Sequence, residues 1–144
     1  MNNLTVKSAL YSDSGLCEQI FLIRKLVFVD EQQVSREEEF DDYEATSIHY
    51  LGMVDGEPAG TARWRIKSDG IKLERFAVLA EQRKKGVASA ILQKVLQDTF
   101  PLGHEIYLNA QVSAMGFYEK YGFKPVGPLF VEANIDHFKM IYRP

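Results

Sequence analysis

Residues 73–88, LERFAVLAEQRKKGVA, contain the change of pattern that decides the fold. An apolar strand pattern runs to Leu79, a polar turn follows, and a helical pattern begins near Gly86. A strand that passes through a charged turn into a helix leaves backbone amides exposed where the helix begins. The stretch therefore predicts a ligand-binding junction between a strand and a helix.

The turn before this helix is suited to an anion. Unpaired amides at a helix N-terminus, together with the helix dipole, bind phosphate oxygens. Gly86 lets the backbone approach a ligand, and Ala88 keeps the next turn small. Three cations precede the glycine, namely Arg83, Lys84 and Lys85. We expect these residues to hold a diphosphate.

The common phosphate-binding motifs are absent from the sequence. Neither the nucleoside triphosphatase loop Gly-x-x-x-x-Gly-Lys-Ser/Thr nor the dinucleotide pattern Gly-x-Gly-x-x-Gly occurs. The pattern Arg-x-x-Gly-x-Ala alone also occurs at ordinary junctions where glycine serves packing. The motif by itself leaves both interpretations open.

Length and composition narrow the class of protein. The 144 residues are 46% hydrophobic, which predicts one globular domain over residues 1–144. The net charge of −3 argues against a nucleic-acid binder with a broad basic face. The N-terminus has no secretion signal and no apolar run is long enough for a membrane span, so we expect a cytoplasmic protein with no membrane partner.

The single cysteine and the three histidines favour no metal site. Cys17 has no cysteine partner for a disulfide or a paired-cysteine zinc site, and its position predicts a buried helix residue rather than a nucleophile. The histidines, which are His49, His104 and His137, are too widely spaced for a metal motif. We expect no metal cofactor.

The order of elements predicts an α/β domain of the layered α+β kind. Apolar alternation predicts seven strands, at 4–10, 47–54, 58–66, 71–79, 105–110, 124–131 and 136–142. Helical spacing predicts a helix that starts after a cap at Ser12, Asp13 or Ser14 and runs to about Val29, one from Gly86 to before Pro101, and one capped by Ser113. The turn Asp55-Gly56 predicts a hairpin. Such an order predicts a mixed, mostly antiparallel sheet flanked by helices.

An acidic segment follows the first helix. Residues 31–44 hold seven carboxylates and one arginine, a local charge of −6. Ser35 has capping-box spacing to Glu38 and predicts a short helix. The general behaviour of charge runs favours a solvated loop, and the alternative is a collar that attracts a cationic substrate.

The anion-binding turn resembles the acyl-CoA diphosphate loop of the GNAT superfamily of N-acetyltransferases. Further residues recur in the same order in the ElaA-like (YjcF-like) branch: Arg24, Val27-Phe28-Val29, Glu31-Gln32, Glu38-Glu39, Asp41, His49, Arg63, Glu74-Arg75, Ala110-Gln111, Phe117-Tyr118, Gly122-Phe123, His137 and Met140. The resemblance covers nearly the whole chain. One departure is Ala88, where many relatives carry a second glycine, which narrows the turn slightly.

The resemblance implies a GNAT fold with splayed strands at a CoA cleft and acetyl-CoA as acyl donor. It implies that the backbone of Phe76, Ala77 and Val78 lies beside the acyl-pantetheine arm, with the Phe76 amide facing the thioester oxygen. Residues Arg83, Lys84, Lys85, Gly86, Val87 and Ala88 then hold the diphosphate, and Asn109 is expected to help hold the arm or the acid.

The resemblance makes Tyr118 the general acid that protonates the leaving thiolate. From the residues alone, a core tyrosine with a satisfied hydroxyl is the alternative. An amine must lose a proton before it attacks, and Glu74, His49 and His137 are the candidates for a base. Glu74 shares a strand face with Phe76 and is alternatively an anchor for a cationic amine.

The acceptor is expected to be a small-molecule primary amine. Six residues are expected on its side of the site: Arg24, His49, Arg63, Glu74, Arg75 and His137. The arginines either bind an anionic group on the acceptor or pair internally with the acidic segment. The alternative functions are an acyl-CoA sensor without catalysis and a protein lysine or N-terminal acetyltransferase. We expect a monomer or a homodimer.

Overall fold

Strands and helices follow one another in the predicted order in the computed structural model, which describes residues 2–144. The helices are α1 (Ser14–Arg24), α2 (Arg36–Glu39), α3 (Val87–Thr99) and α4 (Met115–Lys120). The strands are β1 (Leu4–Ala9), β2 (Ile48–Val54), β3 (Glu57–Lys67), β4 (Gly70–Val78), β5 (Ile106–Gln111), β6 (Phe123–Glu132) and β7 (Ile135–Tyr142).

The seven strands form one mixed sheet in the order β1-β2-β3-β4-β5-β7-β6. Every neighbouring pair is antiparallel except β4 and β5. The prediction of a mostly antiparallel sheet of about seven strands flanked by helices is confirmed. The parallel pair is short, because only Ile71–Leu73 and Ile106–Leu108 are in register.

Two apolar layers hold the helices on opposite faces of the sheet. On one face α3 buries Val87, Ile91 and Leu92 against Tyr50 and the strands around it, and α4 adds Tyr118. On the other face α1 buries Ile20 and Ile23 against Leu51 and Ala77. Neighbouring strand residues such as Tyr50 and Leu51 face opposite layers, as strand alternation requires.

The first helix changes its geometry before it ends. The α-helix stops at Arg24, and Lys25–Glu31 continues as a π-helix, so the expectation of an α-helix to about Val29 is wrong in its last turn. A wider turn rotates the side chains relative to α-helical spacing. Val27 and Phe28, which are adjacent in sequence, are consequently both buried.

Of three predicted helix caps, one is confirmed and two are wrong. Ser35 caps α2, because its hydroxyl accepts a hydrogen bond from the Glu38 amide at 3.1 Å. Ser113 does not cap α4, because it lies within a 3-10 turn at Val112–Ala114 and Ala114 takes the cap position. Asp13 precedes α1 but its carboxylate accepts from the Leu10 amide instead.

Other features of the described residues bear on the class of protein. None of the helices in residues 2–144 is long and apolar enough to cross a membrane. Within the same residues no group of three or more His, Cys, Asp or Glu side chains could hold a metal ion. Cys17 is a buried residue of α1, as predicted, and its thiol lies 3.4 Å from the Leu10 carbonyl oxygen.

Candidate functional site

The site begins where β4 and β5 separate. Past Leu73 and Leu108 the two strands are no longer in register with each other, and Asn109 and Gln111 pair only with β7. The divergence opens a cleft of about 590 Å³. The cleft extends to the α1 side, where Val27 and Phe28 line it.

A second cavity of about 220 Å³, here called the side pocket, reaches the same place from the opposite face. Ala88 and Ile91 of α3 and Phe117 of α4 line it. Five residues line both cavities: Phe76, Ala77, Val78, Ala114 and Tyr118. The cleft and the side pocket therefore meet at the end of β4.

A bulge in β4 lies at this meeting point. Thr61 of β3 is opposite Ala77, and Arg63 is opposite Glu74. Between these pairs β4 has two residues and β3 has one, so β4 carries one extra residue. Arg75 and Phe76 are left without register partners of their own. Arg75 has a φ of +60°, a conformation uncommon for a residue with a side chain. A bulge of this kind releases a backbone amide from the sheet.

The N-terminus of α3 lies beyond the end of β4. Gly86 occupies the cap position with a φ of +85°, which glycine adopts without steric cost. Among residues 2–144, no side chain caps this helix end. The amides of its first turn are therefore left for solvent or an anion. The predicted helix start at Gly86 is confirmed.

The cations before Gly86 point in different directions. Arg83 donates to both carboxylate oxygens of Glu31, at 2.6 and 2.7 Å, and to the Val78 carbonyl oxygen at 3.0 Å. Its guanidinium thus lies against the cleft rather than free at the helix end. Lys85 donates to Gln82 at 2.9 Å. Lys84 is exposed, and neither cavity includes either lysine.

Tyr118 is packed among aromatic rings. It is 7% exposed, and the rings of Phe76, Phe117 and Phe123 lie between 5.2 and 5.9 Å from it, centroid to centroid. Burial raises the pKa of the Tyr118 phenol, with no hydrogen bond or charge from the described residues contributing. The alternative of a core tyrosine is right about the packing of the ring. It is wrong about the hydroxyl, which has no hydrogen bond to the described residues.

His137 lines the cleft from β7, opposite Gln111 in register, and Asn109 lines it from β5. The Nδ1 atom of His137 lies 2.7 Å from the Ile135 carbonyl oxygen. A carbonyl oxygen only accepts, so Nδ1 carries a proton and the Nε2 lone pair of the neutral ring remains available. His137 is 7% exposed and its ring stacks on Phe130.

Glu74 lines the cleft but is surrounded by cations. Its Oε2 lies 2.7 Å from Arg63, and its Oε1 lies 3.1 Å from Arg65 and 3.0 Å from Lys72. Burial raises the pKa of this carboxyl, but the hydrogen bond from Arg65 and the charges of Arg63 and Lys72 outweigh burial and lower it to about 2. A carboxylate this weakly basic is poorly suited to take a proton from an ammonium group, which corrects the expectation that Glu74 acts as a base.

Three of the expected acceptor-side residues are not among the residues lining either cavity. Arg24 and Arg63 are each 1% exposed, and His49 is fully buried. Burial lowers the pKa of His49, whose Nε2 lies 2.9 Å from the Glu44 carbonyl oxygen. These positions correct the expectation that the three residues contact an acceptor. Of the six expected residues, Glu74, Arg75 and His137 line the cleft.

Three carboxylates of the acidic segment pack inward. Glu39 lies 2.7 Å from Arg24, and Glu44 lies 2.8 Å from both Arg24 and Arg63. Asp41 lies 2.7 Å from Arg63. The prediction of a solvated loop is right for the other four carboxylates, which are exposed, and wrong for these three, which buried arginines neutralise. The alternative that the arginines pair internally is the one observed.

Two polar bridges across the cleft were missed by the sequence interpretation. Glu31 and Gln32 follow each other at the end of the π-helix. Glu31 binds Arg83, beyond β4, and Gln32 accepts a hydrogen bond at 2.9 Å from Gln111, at the end of β5. Adjacent residues thus contact the turn after β4 and the end of β5. Pairing between residues 52 and 79 positions apart leaves no local signal in the sequence.

Comparison with known proteins agrees with this geometry. The family model described as an acetyltransferase (GNAT) domain matches residues 15–144. The N-acetyltransferase YjcF of Bacillus subtilis (strain 168) is 38% identical over 141 residues, which cover 94% of this chain and 99% of YjcF. ElaA of Escherichia coli (strain K12) is 30% identical over 126 residues, 82% of this chain and 81% of ElaA.

Solved structures share the fold. The crystal structure of Escherichia coli ElaA superposes with a TM-score of 0.86 and 24% identity, over 99% of this chain and 100% of that one. An acyl-CoA N-acyltransferase from Pseudomonas aeruginosa superposes with the same TM-score and 22% identity, over 99% of this chain and 100% of that one. The predicted splayed-strand fold is confirmed. Family and fold together indicate an acyltransferase with a CoA-type donor, and the chain belongs to the GNAT acetyltransferase family, in its ElaA/YjcF-like branch.

Proposed function

We propose that this protein transfers the acetyl group of acetyl-CoA to the primary amine of a small-molecule acceptor, by direct attack in a ternary complex. One observation carries the proposal: two cavities from opposite faces of the sheet meet beside Phe76 and Tyr118. A donor that enters through the side pocket and an acceptor that enters through the cleft would meet at the bulge. Direct transfer requires such a meeting of thioester and amine.

The donor belongs on the α3 side. The side pocket extends from the first turn of α3, at Ala88, to Tyr118, and apart from Thr61 and the Tyr118 phenol its lining side chains are apolar. A pantetheine arm in this pocket would place the diphosphate at the uncapped amides of residues 86–88. Lys84 and Lys85 add positive charge there. Asn109 reaches the arm from the cleft side.

The chemistry follows from the residues at the junction. The amine nitrogen attacks the thioester carbon, and the Phe76 amide, which the bulge leaves without a register partner, stabilises the oxyanion. The carbon–sulfur bond then breaks. Tyr118 gives its proton to the thiolate, and burial keeps the phenol protonated until then by raising its pKa. Before the attack, the Nε2 atom of His137 accepts the proton by which the acceptor's ammonium group becomes a free amine.

The test is release of CoA thiol over a panel of amines and peptides. We expect a small amine to support release, and Tyr118→Phe to lower turnover about a hundredfold while the Kd for acetyl-CoA stays within about twofold. Tyr107→Phe is the matched control, because Tyr107 binds Asp69 and lines neither cavity.

A second variant tests the donor site. Gly86→Trp places an indole in the approach to the helix amides, at a backbone φ that disfavours any side chain, and should abolish acetyl-CoA binding. Normal binding would remove the turn from the donor site. Binding without release for any amine would favour an acyl-CoA sensor, and release with peptides alone would favour a protein acetyltransferase.

A further inference from the structure

Arg75 occupies an unusual place in β4. It is the residue before Phe76, within the bulge, and its φ is +60°. A left-handed conformation is unfavourable for any residue with a Cβ atom, and inside a strand it interrupts the ladder. Such a conformation persists only when the surrounding contacts stabilise it. The contacts of Arg75 show what stabilises it here.

All the hydrogen bonds of the Arg75 guanidinium go to one short segment, residues 38–41. Its Nε lies 3.3 Å from both the carbonyl oxygen and the carboxylate Oε1 of Glu39. Its Nη2 lies 3.2 Å from the Glu38 carbonyl oxygen and 3.2 Å from Asp41 Oδ2. Four oxygen atoms of this segment therefore hold the Arg75 side chain. These contacts use Nε and Nη2, and Nη1 has no hydrogen bond to the described residues.

The segment that holds Arg75 is itself anchored in the protein. Glu39 lies 2.7 Å from Arg24, and Asp41 lies 2.7 Å from Arg63. Both of these arginines are 1% exposed. Buried ion pairs with several hydrogen bonds fix geometry, because each group loses its partner if it moves. The position of Arg75 is thereby tied to the interior of the molecule.

We propose that Arg75 is a positioning residue, held by residues 38–41, which keeps the β4 bulge in place so that the Phe76 amide faces the thioester oxygen. The role rests on the proposed function of the Phe76 amide. It replaces the expectation that Arg75 binds the acceptor. It also gives the acidic segment a function, since the carboxylates of Glu39 and Asp41 hold the arginine that shapes the oxyanion site.

A glycine variant at position 75 distinguishes holding the bulge from binding the acceptor molecule. Arg75→Ala removes the guanidinium and leaves a Cβ atom that disfavours positive φ, whereas Arg75→Gly removes the guanidinium and tolerates positive φ. With an amine that supports thiol release, we expect Arg75→Ala to lower kcat about tenfold, with KM values for both substrates within about twofold. Arg75→Gly should stay within about threefold of wild type. Arg143→Ala is the control, since Arg143 pairs with Glu105 at the surface and lines neither cavity.

Crystal structures of the two variants give a readout that needs no activity. We expect residue 75 to return to negative φ in Arg75→Ala and to stay positive in Arg75→Gly. Equal loss in both variants through a raised KM for the amine would overturn the proposal in favour of acceptor binding. A retained bulge in Arg75→Ala would also overturn it. If no amine supports release, the proposed function fails, and the φ of residue 75 still decides whether Arg75 holds the bulge.

Discussion

The Glu31 carboxylate accepts hydrogen bonds from both terminal nitrogens of the Arg83 guanidinium, at 2.6 and 2.7 Å, at one side of the cleft. The hydrogen bond from Arg83 lowers the pKa of Glu31 and raises that of Arg83. Arg83 also belongs to the turn proposed for the diphosphate. A diphosphate that uses this guanidinium would have to take it from Glu31.

Glu31→Gln should therefore tighten binding of acetyl-CoA. The substitution weakens the competing contact and removes a negative charge near the donor's phosphates. Exposed ion pairs are worth about 0.2–1 kcal/mol, so we expect the Kd to fall about two- to fivefold in low salt. Isothermal titration calorimetry measures the change.

Glu37→Gln is the matched control for this measurement, because Glu37 is an exposed carboxylate that lines neither cavity. It removes the same charge at a distance from the turn and should leave the Kd unchanged. If the Kd of Glu31→Gln for acetyl-CoA is unchanged or higher, the backbone amides alone hold the diphosphate.

His137→Gln tests the proposed base. General bases contribute about a hundredfold or more, so turnover should fall by at least that factor. His104→Gln is the control, because His104 is exposed and lines neither cavity. Normal turnover of His137→Gln would assign the proton to water or to another group.

The fold was largely predictable because its signals are local. Apolar alternation and the positive-φ turn at Asp55 and Gly56 define the β2–β3 hairpin. The apolar face of α3 repeats at helical spacing. The π-helical end of the first helix was not predictable, since the residues of 25–31 fit an α-helix equally well and packing of Val27 and Phe28 decides between the two.

The site was predictable only where the family motif is continuous in sequence. Residues 73–88 brought the bulge and the helix start together in one stretch. The ion pairs of Arg63 with Asp41 and of Arg75 with Glu39 join residues 22 and 36 positions apart, and only the folded sheet brings them together. A partial signal existed: Arg63, Arg65 and Glu74 are charged residues inside strand patterns, which indicates buried pairing.

Glu74 should make the stability of the protein depend on acid. Its pKa of about 2 in the folded state lies below the ordinary 4.5. A lowered pKa stabilises the fold fully above the unfolded value, and the contribution is lost as the pH falls from about 4.5 toward about 2. Removing one partner of a buried pair costs about 3–5 kcal/mol, so Glu74→Gln should lose about that much at pH 7.

Urea unfolding at a series of pH values measures this effect. The difference between wild type and Glu74→Gln should shrink as the pH approaches 3. Glu105→Gln is the control, because Glu105 pairs with Arg143 at the surface and such pairs are worth at most about 1 kcal/mol. If the stability difference between the two proteins stays constant from pH 7 to pH 3, the three cations do not lower the pKa of Glu74.

Gly70→Ala should test the short parallel contact from which the cleft opens. A Cβ atom at Gly70 would overlap the Glu105 carbonyl oxygen, which accepts a hydrogen bond from the Ile71 amide at 2.7 Å. The φ of Gly70 is also +139°. Steric overlap and backbone strain together should cost about 3 kcal/mol or more.

Gly103→Ala separates steric overlap from backbone strain, since Gly103 has a φ of +78° and no described atom would lie within 4 Å of an added Cβ atom. It should cost only about 1–2 kcal/mol in urea unfolding. Because β4 and β5 are in register over three residues only, the clash at Gly70 should also widen the splay and weaken acetyl-CoA binding. Equal costs for the two variants, with donor affinity intact in Gly70→Ala, would show that the cleft does not depend on this close approach.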